Sequence, residues 1–188
     1  PVVETWDLTA TPVDMMVGFS HAAIGTAVAD FLHGRGHRHI AMVSANDARA
    51  RARVAAFAAR AEVLGLPLVP AAFTAAPSTM GAGRAGLADL LARAPEVTAV
   101  FCSSDILALG ASIEARERGS SMPQRLAIGG LGDQGFAADA APPLTTVRIA
   151  GTRIGRLAAE MLVARVDGQP HDEAVVDIGF SIVERLSA

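Results

Sequence analysis

Several residue types are rare or missing in this sequence, and each absence excludes a class of protein. Tyrosine does not occur among the 188 residues, and there is one tryptophan and one cysteine. The single cysteine, Cys102, cannot form an internal disulfide, which favours a reducing compartment such as the cytoplasm over a disulfide-stabilised secreted domain. Because 51% of the residues are hydrophobic but only 4% are aromatic, the core must consist mainly of aliphatic side chains and alanine.

A basic excess and long apolar runs are also lacking. The chain has 16 Lys and Arg against 19 Asp and Glu, a net charge of −3, whereas a nucleic-acid-binding domain normally presents a basic face. No apolar run approaches the roughly 20 residues of a membrane-spanning helix, and no signal-like segment occurs. The sequence therefore predicts neither direct nucleic-acid binding nor a membrane span. Since it starts at Pro1, directly on a predicted strand, we expect a piece of a longer protein.

One stretch in the middle of the sequence has the pattern of strand, helix and strand. Residues 97–102 form a short apolar run without alternation, which predicts a strand covered on both faces. The following helix begins after the capping residue Ser104 and ends at Gly119. Residues 126–128 begin a second buried strand. Such a unit builds parallel sheets through a right-handed crossover.

Strands and helices alternate along the rest of the chain as well. The apolar runs predict strands at 2–6, 15–19, 40–43, 68–73, 145–149 and 175–183. Helical spacing of apolar residues predicts helices from His21, after the caps Asn46 and Asp47, from Ser78, and over 152–166. This alternation predicts an α/β fold, a three-layer sandwich around a parallel sheet.

Polar residues follow two neighbouring strands of the predicted sheet. Ser104 and Asp105 come after the first strand of the central unit, and Asp133 and Gln134 follow the second. Because ligands of open parallel sheets bind beyond the carboxyl ends of the strands, a polar pocket is expected there. The two aspartates are candidates for an acid/base pair or, more economically, for acceptors of hydrogen bonds from ligand hydroxyl groups. No G-x-S-x-G elbow or nucleophile–base pair is present, so no catalytic residue is predicted.

Two patterns point to nucleotide or metal sites but lack the context that these sites need. G-x-G-x-x-G occurs at 81–86, inside a helix that has already started, and at 130–135, without an acidic residue about 20 positions downstream. We attribute the first set of glycines to close packing or to chance. His33, His37 and His39 lie at a helix end and a strand entrance, with no cysteine or carboxylate beside them. The sequence therefore predicts neither a cofactor nor a metal.

Three arginines follow the predicted caps of the second helix. Arg49 and Arg51 are expected on a solvated basic face of the helix. Arg53 lies one turn before Phe57, where the apolar face starts. A partly covered guanidinium at that place can donate two hydrogen bonds to a carboxylate or to a pair of hydroxyl groups. Arg53 is therefore a predicted ligand-binding residue.

Six motifs spread over nearly the whole chain carry a resemblance to a known family. They are V-V-E-T-W-D-L-T (2–9), V-D-M-M-V-G-F-S-H (13–21), F-L-H-G-R-G-H-R-H-I-A-M-V-S-A (31–45), A-V-F-C-S-S-D-I-L-A-L-G (99–110), I-G-G-L-G-D (128–133) and P-P-L-T-T-V-R-I (142–149). In this order they resemble the effector-binding domain of lactose-repressor/galactose-repressor family transcription factors, and most of all the gluconate-repressor type.

The resemblance implies a periplasmic-binding-protein-like fold of type I, with two lobes and a ligand between them. In this family a DNA-reading helix-turn-helix and the first strands of the N-terminal lobe precede the position of Pro1. We therefore expect an incomplete N-terminal lobe at 1–37 and 146–176, a C-terminal lobe at 38–145 and 177–188, and no DNA-binding domain in this chain.

The resemblance also implies which residues bind the ligand. Arg53 matches the family's ligand-clamping arginine, and Ser104 stands where many members have an effector-binding asparagine, with Asp105 beside it. The family's F-D-D motif is replaced by L-G-D at 131–133, so only its second aspartate, Asp133, is kept. The loss of one carboxylate suits an anionic ligand, which that carboxylate would repel. Ser20 and His21, at a helix N-terminus, are expected to meet the anion from the other lobe, and Gln134 follows Asp133 at the pocket.

On this resemblance the chain is expected to bind a sugar or sugar acid, gluconate first, and to form a homodimer. It would control operator DNA only through the missing N-terminal domain, in the cytoplasm and away from any membrane. The alternatives are a periplasmic sugar-binding protein of a transport system on the same fold, and a sugar-acid dehydrogenase or hydrolase.

Overall fold

In a computed structural model, which describes residues 1–169 and 173–188, the chain forms two compact units. The first consists of Pro1–His21 and Ile149–Ser181, and the second of Ala22–Arg148 and Ile182–Ala188. The strands are β1 Val3–Thr5, β2 Met15–Gly18, β3 Ile40–Ala45, β4 Ala72–Thr74, β5 Ala99–Cys102, β6 Ala127–Leu131, β7 Thr145–Arg148, β8 Val175–Asp177 and β9 Ser181–Val183. The helices are α1 His21–Gly34, α2 Ala48–Val63, α3 Met80–Arg93, α4 Asp105–Glu117, α5 Gly135–Asp139 and α6 Gly151–Val166.

The first unit is a small parallel sheet with one helix packed on it. The strand order is β1-β2-β8, and the central strand β2 is buried along its whole length. Helix α6 contacts β1 and β2 and buries Ile154 and Met161. A side chain at Gly18 would lie 1.9 Å from the backbone oxygen of Asp7, so only glycine fits there.

The second unit holds the larger sheet, with strand order β4-β3-β5-β6-β7-β9. The pairs from β4 to β7 are parallel, and Phe101 on β5 lies between Met42 on β3 and Gly129 on β6. Strands β3 and β5 are buried at every residue, as expected for parallel strands covered on both faces. The predicted α/β fold with a parallel sheet between helices is confirmed.

Two helices of the second unit pack against each other through glycines. A side chain at Gly83 on α3 would lie 2.2 Å from the backbone oxygen of Leu107 on α4, and one at Gly110 on α4 would lie 2.0 Å from that of Met80. Thr79 caps α3 by accepting from the backbone of Ala82, so the glycine motif at 81–86 does lie inside a helix. Its predicted packing role is confirmed at Gly83.

The predicted closing strand at 175–183 is wrong, because the segment forms two strands in two different sheets. β8 pairs with β2 in the first unit, whereas β9 is an edge strand of the second unit. The chain bends at Gly179, which has a φ of +66° and donates its N–H to the side chain of Asp177. A left-handed residue cannot continue a strand.

The predicted strand at 68–73 is also misplaced, since β4 begins only at Ala72. Pro67 and Pro70 lack the backbone N–H that a ladder requires, which explains the irregular start. The predicted lobe boundaries stay a prediction, and their residues 170–172 lie outside the described residues. The compact units of this structure differ from those boundaries at α1, most of which belongs to the second unit. No helix within the described ranges is long and apolar enough to cross a bilayer.

Candidate functional site

The polar residues predicted to meet beyond β5 and β6 do lie side by side at the carboxyl edge of the larger sheet. The backbone N–H of Gln134 donates to a carboxylate oxygen of Asp105 over 2.8 Å. Ser104 is the N-cap of α4, as predicted, and its hydroxyl accepts from the backbone of Leu107. The neighbouring Ser103 accepts from the backbone of Ala45, which joins β5 to the end of β3.

Asp105 is fully buried and joins three strands of this edge. Its second carboxylate oxygen accepts from the hydroxyl of Thr146 on β7 at 2.5 Å. Burial raises the pKa of Asp105, and the bonds from Thr146 and Gln134 offset part of that rise. A side chain at Gly130 would lie 2.4 Å from the carboxylate, so glycine makes room for it. Asp105 holds the edge together, and its role in ligand binding stays a prediction.

Asp133 lies at the tip of β6 between two guanidinium groups. Arg185 donates to one carboxylate oxygen at 2.6 Å and Arg148 to the other at 2.5 Å. Burial by itself raises the pKa of Asp133, but the two arginines outweigh it and hold the pKa below its ordinary value. The residue has a φ of +49° and follows Gly132 at +131°, a sharp turn that aims the carboxylate at both arginines.

Arg53 lies on the buried face of α2, which begins at the carboxyl end of β3. Its residue is 6% exposed, and α1 approaches so closely that a side chain at Gly25 would lie 2.3 Å from the backbone oxygen of Arg53. Asp47 caps α2 through the backbone of Ala50. By contrast, Arg51 is exposed, donates to the side chain of Asn46 and lies over the ring of Phe73. The predicted difference in burial between Arg53 and Arg51 is confirmed.

Ser20 and His21 belong to the first unit, where α1 begins. His21 is 6% exposed, and its Nε2 lies 3.0 Å from the backbone oxygen of Trp6. Its ring meets that of Phe19 edge-on, with 4.8 Å between the centroids. Trp6 has a φ of +68°, which is rare for a bulky residue. These contacts fix the orientation of the imidazole, and the predicted anion contacts of Ser20 and His21 stay predictions.

His33 and His37, two of the three histidines near the end of α1, differ in their surroundings. His33 lies in the last turn of α1, as predicted. The Nδ1 of His37 lies 3.0 Å from the hydroxyl of Thr98, and burial, followed by the charge of Arg35, lowers its pKa. Within residues 1–169 and 173–188 no group of His, Cys, Asp and Glu has a geometry that could hold a metal ion.

Three residues of the edge escaped the sequence analysis, namely Thr146, Arg148 and Arg185. Arg148 is the last residue of β7 and the penultimate residue of the predicted strand 145–149, so the rule that ligands bind at carboxyl ends of strands pointed to its neighbourhood. No pattern marked Arg185, because the partner of its side chain, Asp133, lies 52 residues away.

Cys102 is fully buried at the end of β5, and burial raises the pKa of its thiol, which keeps it unreactive.

Residues 29–188 match the model of the periplasmic binding protein-like domain. The HTH-type transcriptional regulator GntR of Pseudomonas aeruginosa is 34% identical over 193 residues, which cover 100% of this chain and 55% of that protein. The chain thus spans about half the length of the curated relatives that it matches.

Solved structures of related regulators superimpose on this chain over its whole length. The transcription regulator GntR from Chromobacterium violaceum superimposes with a TM-score of 0.93 at 34% identity, over 100% of this chain and 69% of that one. A LacI family transcriptional regulator from Silicibacter pomeroyi gives 0.90 at 27% identity, over 100% and 69%. A complex of the transcriptional regulator CelR with cellobiose gives 0.86 at 26% identity, over 100% and 59%. The matched relatives are regulators rather than enzymes, and the chain belongs to the periplasmic-binding-protein-like domains of the lactose-repressor/galactose-repressor family.

Proposed function

We propose that this chain is the effector-binding part of a transcriptional regulator and that its effector is a sugar acid, with gluconate as the first candidate. The observation that carries the proposal is the carboxyl edge of the six-stranded sheet. There Asp133 is held between Arg148 and Arg185, and Arg53 lies on the helix that follows β3. Carboxylates accept hydrogen bonds from sugar hydroxyls, and guanidiniums pair with an acid group.

The absence of an aspartate at position 132 supports a sugar acid, rather than a neutral sugar, as the effector. Position 132 is glycine in a chain whose family pattern has a second aspartate there, so one negative charge is missing from the edge. Gly132 has a φ of +131°, a conformation that an aspartate rarely adopts. The solved complex of the regulator CelR with cellobiose supports a saccharide as the chemical class of the effector.

In this proposal each predicted residue has a defined part. Arg53 pairs with the carboxylate of the effector, while Asp133 accepts from its hydroxyl groups. Asp105, which is fully buried, takes part by holding Gln134 and Thr146 in place beneath the ligand. Ser104 and Gln134 add polar contacts at the ends of β5 and β6, and Ser20 and His21 contribute from the start of α1. The guanidinium of Arg53 is shielded from water, at 6% exposure, and in such surroundings a charged hydrogen bond to an effector carboxylate is strong.

The regulator as a whole is proposed to act as a homodimer in the cytoplasm. Operator DNA would be bound through a helix-turn-helix domain outside this chain, and the effector would change its affinity. The names of the relatives, HTH-type transcriptional regulators, support this architecture.

Calorimetric titration with gluconate, glucose, cellobiose and a purine nucleoside tests the proposal. We expect gluconate to bind most tightly and to be recovered chemically unchanged after incubation, as judged by NMR of the ligand. Preferential binding of the nucleoside, or a complete lack of binding by every sugar and sugar acid, would contradict it.

A further inference from the structure

The two arginines that hold Asp133 differ in how they are anchored. Arg185 has a side chain that is 17% exposed, and it also donates to the backbone oxygen of Leu144 at 2.8 Å. Arg148 is 53% exposed and reaches Asp133 from the last residue of β7. Arg185 is therefore part of the framework of the edge, whereas Arg148 covers the carboxylate from the solvent side.

One carboxylate and two guanidinium groups meet at the tip of β6, which gives these three side chains a net charge of +1 when all are ionised. Asp133 is ionised at neutral pH, because the two arginines hold its pKa below the ordinary range. Its carboxylate would repel an anionic ligand that donates a hydroxyl group to it. Two unit charges separated by several ångströms in a partly solvated site interact by an energy that corresponds to roughly tenfold or more in affinity.

We propose that Arg148 determines the charge selectivity of the effector site, because its guanidinium, added to that of Arg185, outweighs the negative charge of Asp133 and so lets that residue accept a hydroxyl group from an anionic ligand. This inference rests on the proposed function and adds a residue that the sequence analysis did not identify. Arg148 acts through Asp133, so it is a positioning and charge-compensating residue rather than a direct clamp of the effector. It acts on the ratio of affinities for an acid and its neutral analogue more than on binding of the sugar skeleton.

The distinguishing measurement is the ratio of gluconate to glucose affinity, obtained by calorimetry at low ionic strength. In Arg148→Gln, which removes the charge, we expect this ratio to fall on the order of tenfold. In Arg148→Lys, which keeps the charge without the planar fork, the ratio should stay within about threefold of the original value. The double variant Asp133→Asn/Arg148→Gln leaves the charge of Arg185 alone and so restores the original net charge of +1. Its ratio should therefore return towards the original value even if both affinities are lower.

Arg118→Gln is the matched control, because Arg118 is 42% exposed and pairs with Glu114 on α4 in the same kind of ion pair. It should leave the ratio unchanged, and circular dichroism should report the same fold for all variants. An unaltered ratio in Arg148→Gln, with gluconate still bound, overturns the role of Arg148 and leaves the proposed function standing. A double variant that fails to recover the ratio also overturns it, since a direct contact between Arg148 and the effector would behave in this way. If the original chain binds neither ligand, both proposals fall together.

Discussion

Arg53 and Arg51 lie on the same helix in different surroundings, which makes them a direct test of the ligand clamp. Arg53 is buried on the inner face of α2, whereas Arg51 is exposed and bonds to Asn46 at 2.7 Å. We expect Arg53→Ala to weaken sugar-acid binding by roughly 1.5–3 kcal/mol, the range of a charged hydrogen bond. Arg53→Lys should recover part of the loss, because an ammonium cannot form the two-bond fork. Calorimetry with gluconate measures both changes.

The controls for this prediction are Arg49→Ala and Arg51→Ala, which should leave the affinity nearly intact. Equal affinities for all three alanine variants would refute the clamp. Unfolding of Arg53→Ala, detected by circular dichroism, would instead assign the arginine a role in packing.

Two neighbouring aspartates are expected to titrate on opposite sides of the ordinary value of 3.8. Burial raises the pKa of Asp105, so its contribution to stability falls as the pH rises from 3.8 towards the raised folded-state pKa. Arg185 and Arg148 lower the pKa of Asp133 against the effect of its burial, so its contribution is present above 3.8 and is lost as the pH falls through the lowered folded-state pKa. Carbon-13 NMR of the side-chain carboxyl groups follows both titrations. Coincident titrations near 3.8 would show that the edge is solvated rather than buried and paired.

At the scale of elements, the contact between α3 and α4 depends on small residues. Gly110→Ala would put a methyl group 2.0 Å from the backbone oxygen of Met80, and we expect it to lower the free energy of unfolding by roughly 1–3 kcal/mol through overpacking. Gly155→Ala on α6 is the matched control, since no atom lies within 4 Å of its side-chain position. It should be neutral or stabilise by up to about 1 kcal/mol, through helix propensity alone. Urea unfolding compares the two, and similar effects would contradict the packing argument.

At the scale of the whole molecule, the net charge of −3 makes this chain a poor ligand for DNA. Non-specific and specific complexes both draw much of their affinity from contacts of Lys and Arg with phosphates. We therefore expect no sequence-selective gel shift by this chain at about 150 mM salt, with or without gluconate. A fusion that adds the helix-turn-helix of a matched regulator is the positive control. A selective shift by the chain alone would show that a DNA-reading surface lies within it.

Much of the fold could be read from the sequence, because local patterns report local physics. The cap at Ser104, the end of α4 at Gly119 and the burial of β5 all follow from neighbouring residues and are present in the structure. The sequence alone also predicts that the ends of β5 and β6 lie side by side, since sequential strands of a parallel sheet are commonly neighbours.

Only the tertiary structure decided which charges meet. Asp133 and Arg185 are 52 residues apart, and Asp105 and Thr146 are 41 apart, so no local pattern records either pairing. The same holds for the last segment of the chain. Its apolar run predicts a strand but does not specify the sheet to which the strand belongs, and β8 and β9 belong to different sheets. Side-chain type and spacing determined the elements and the chemistry available at their ends. Whether a carboxylate there is buried, ionised or neutralised depends on distant partners, because electrostatic energies depend on separation and burial in space.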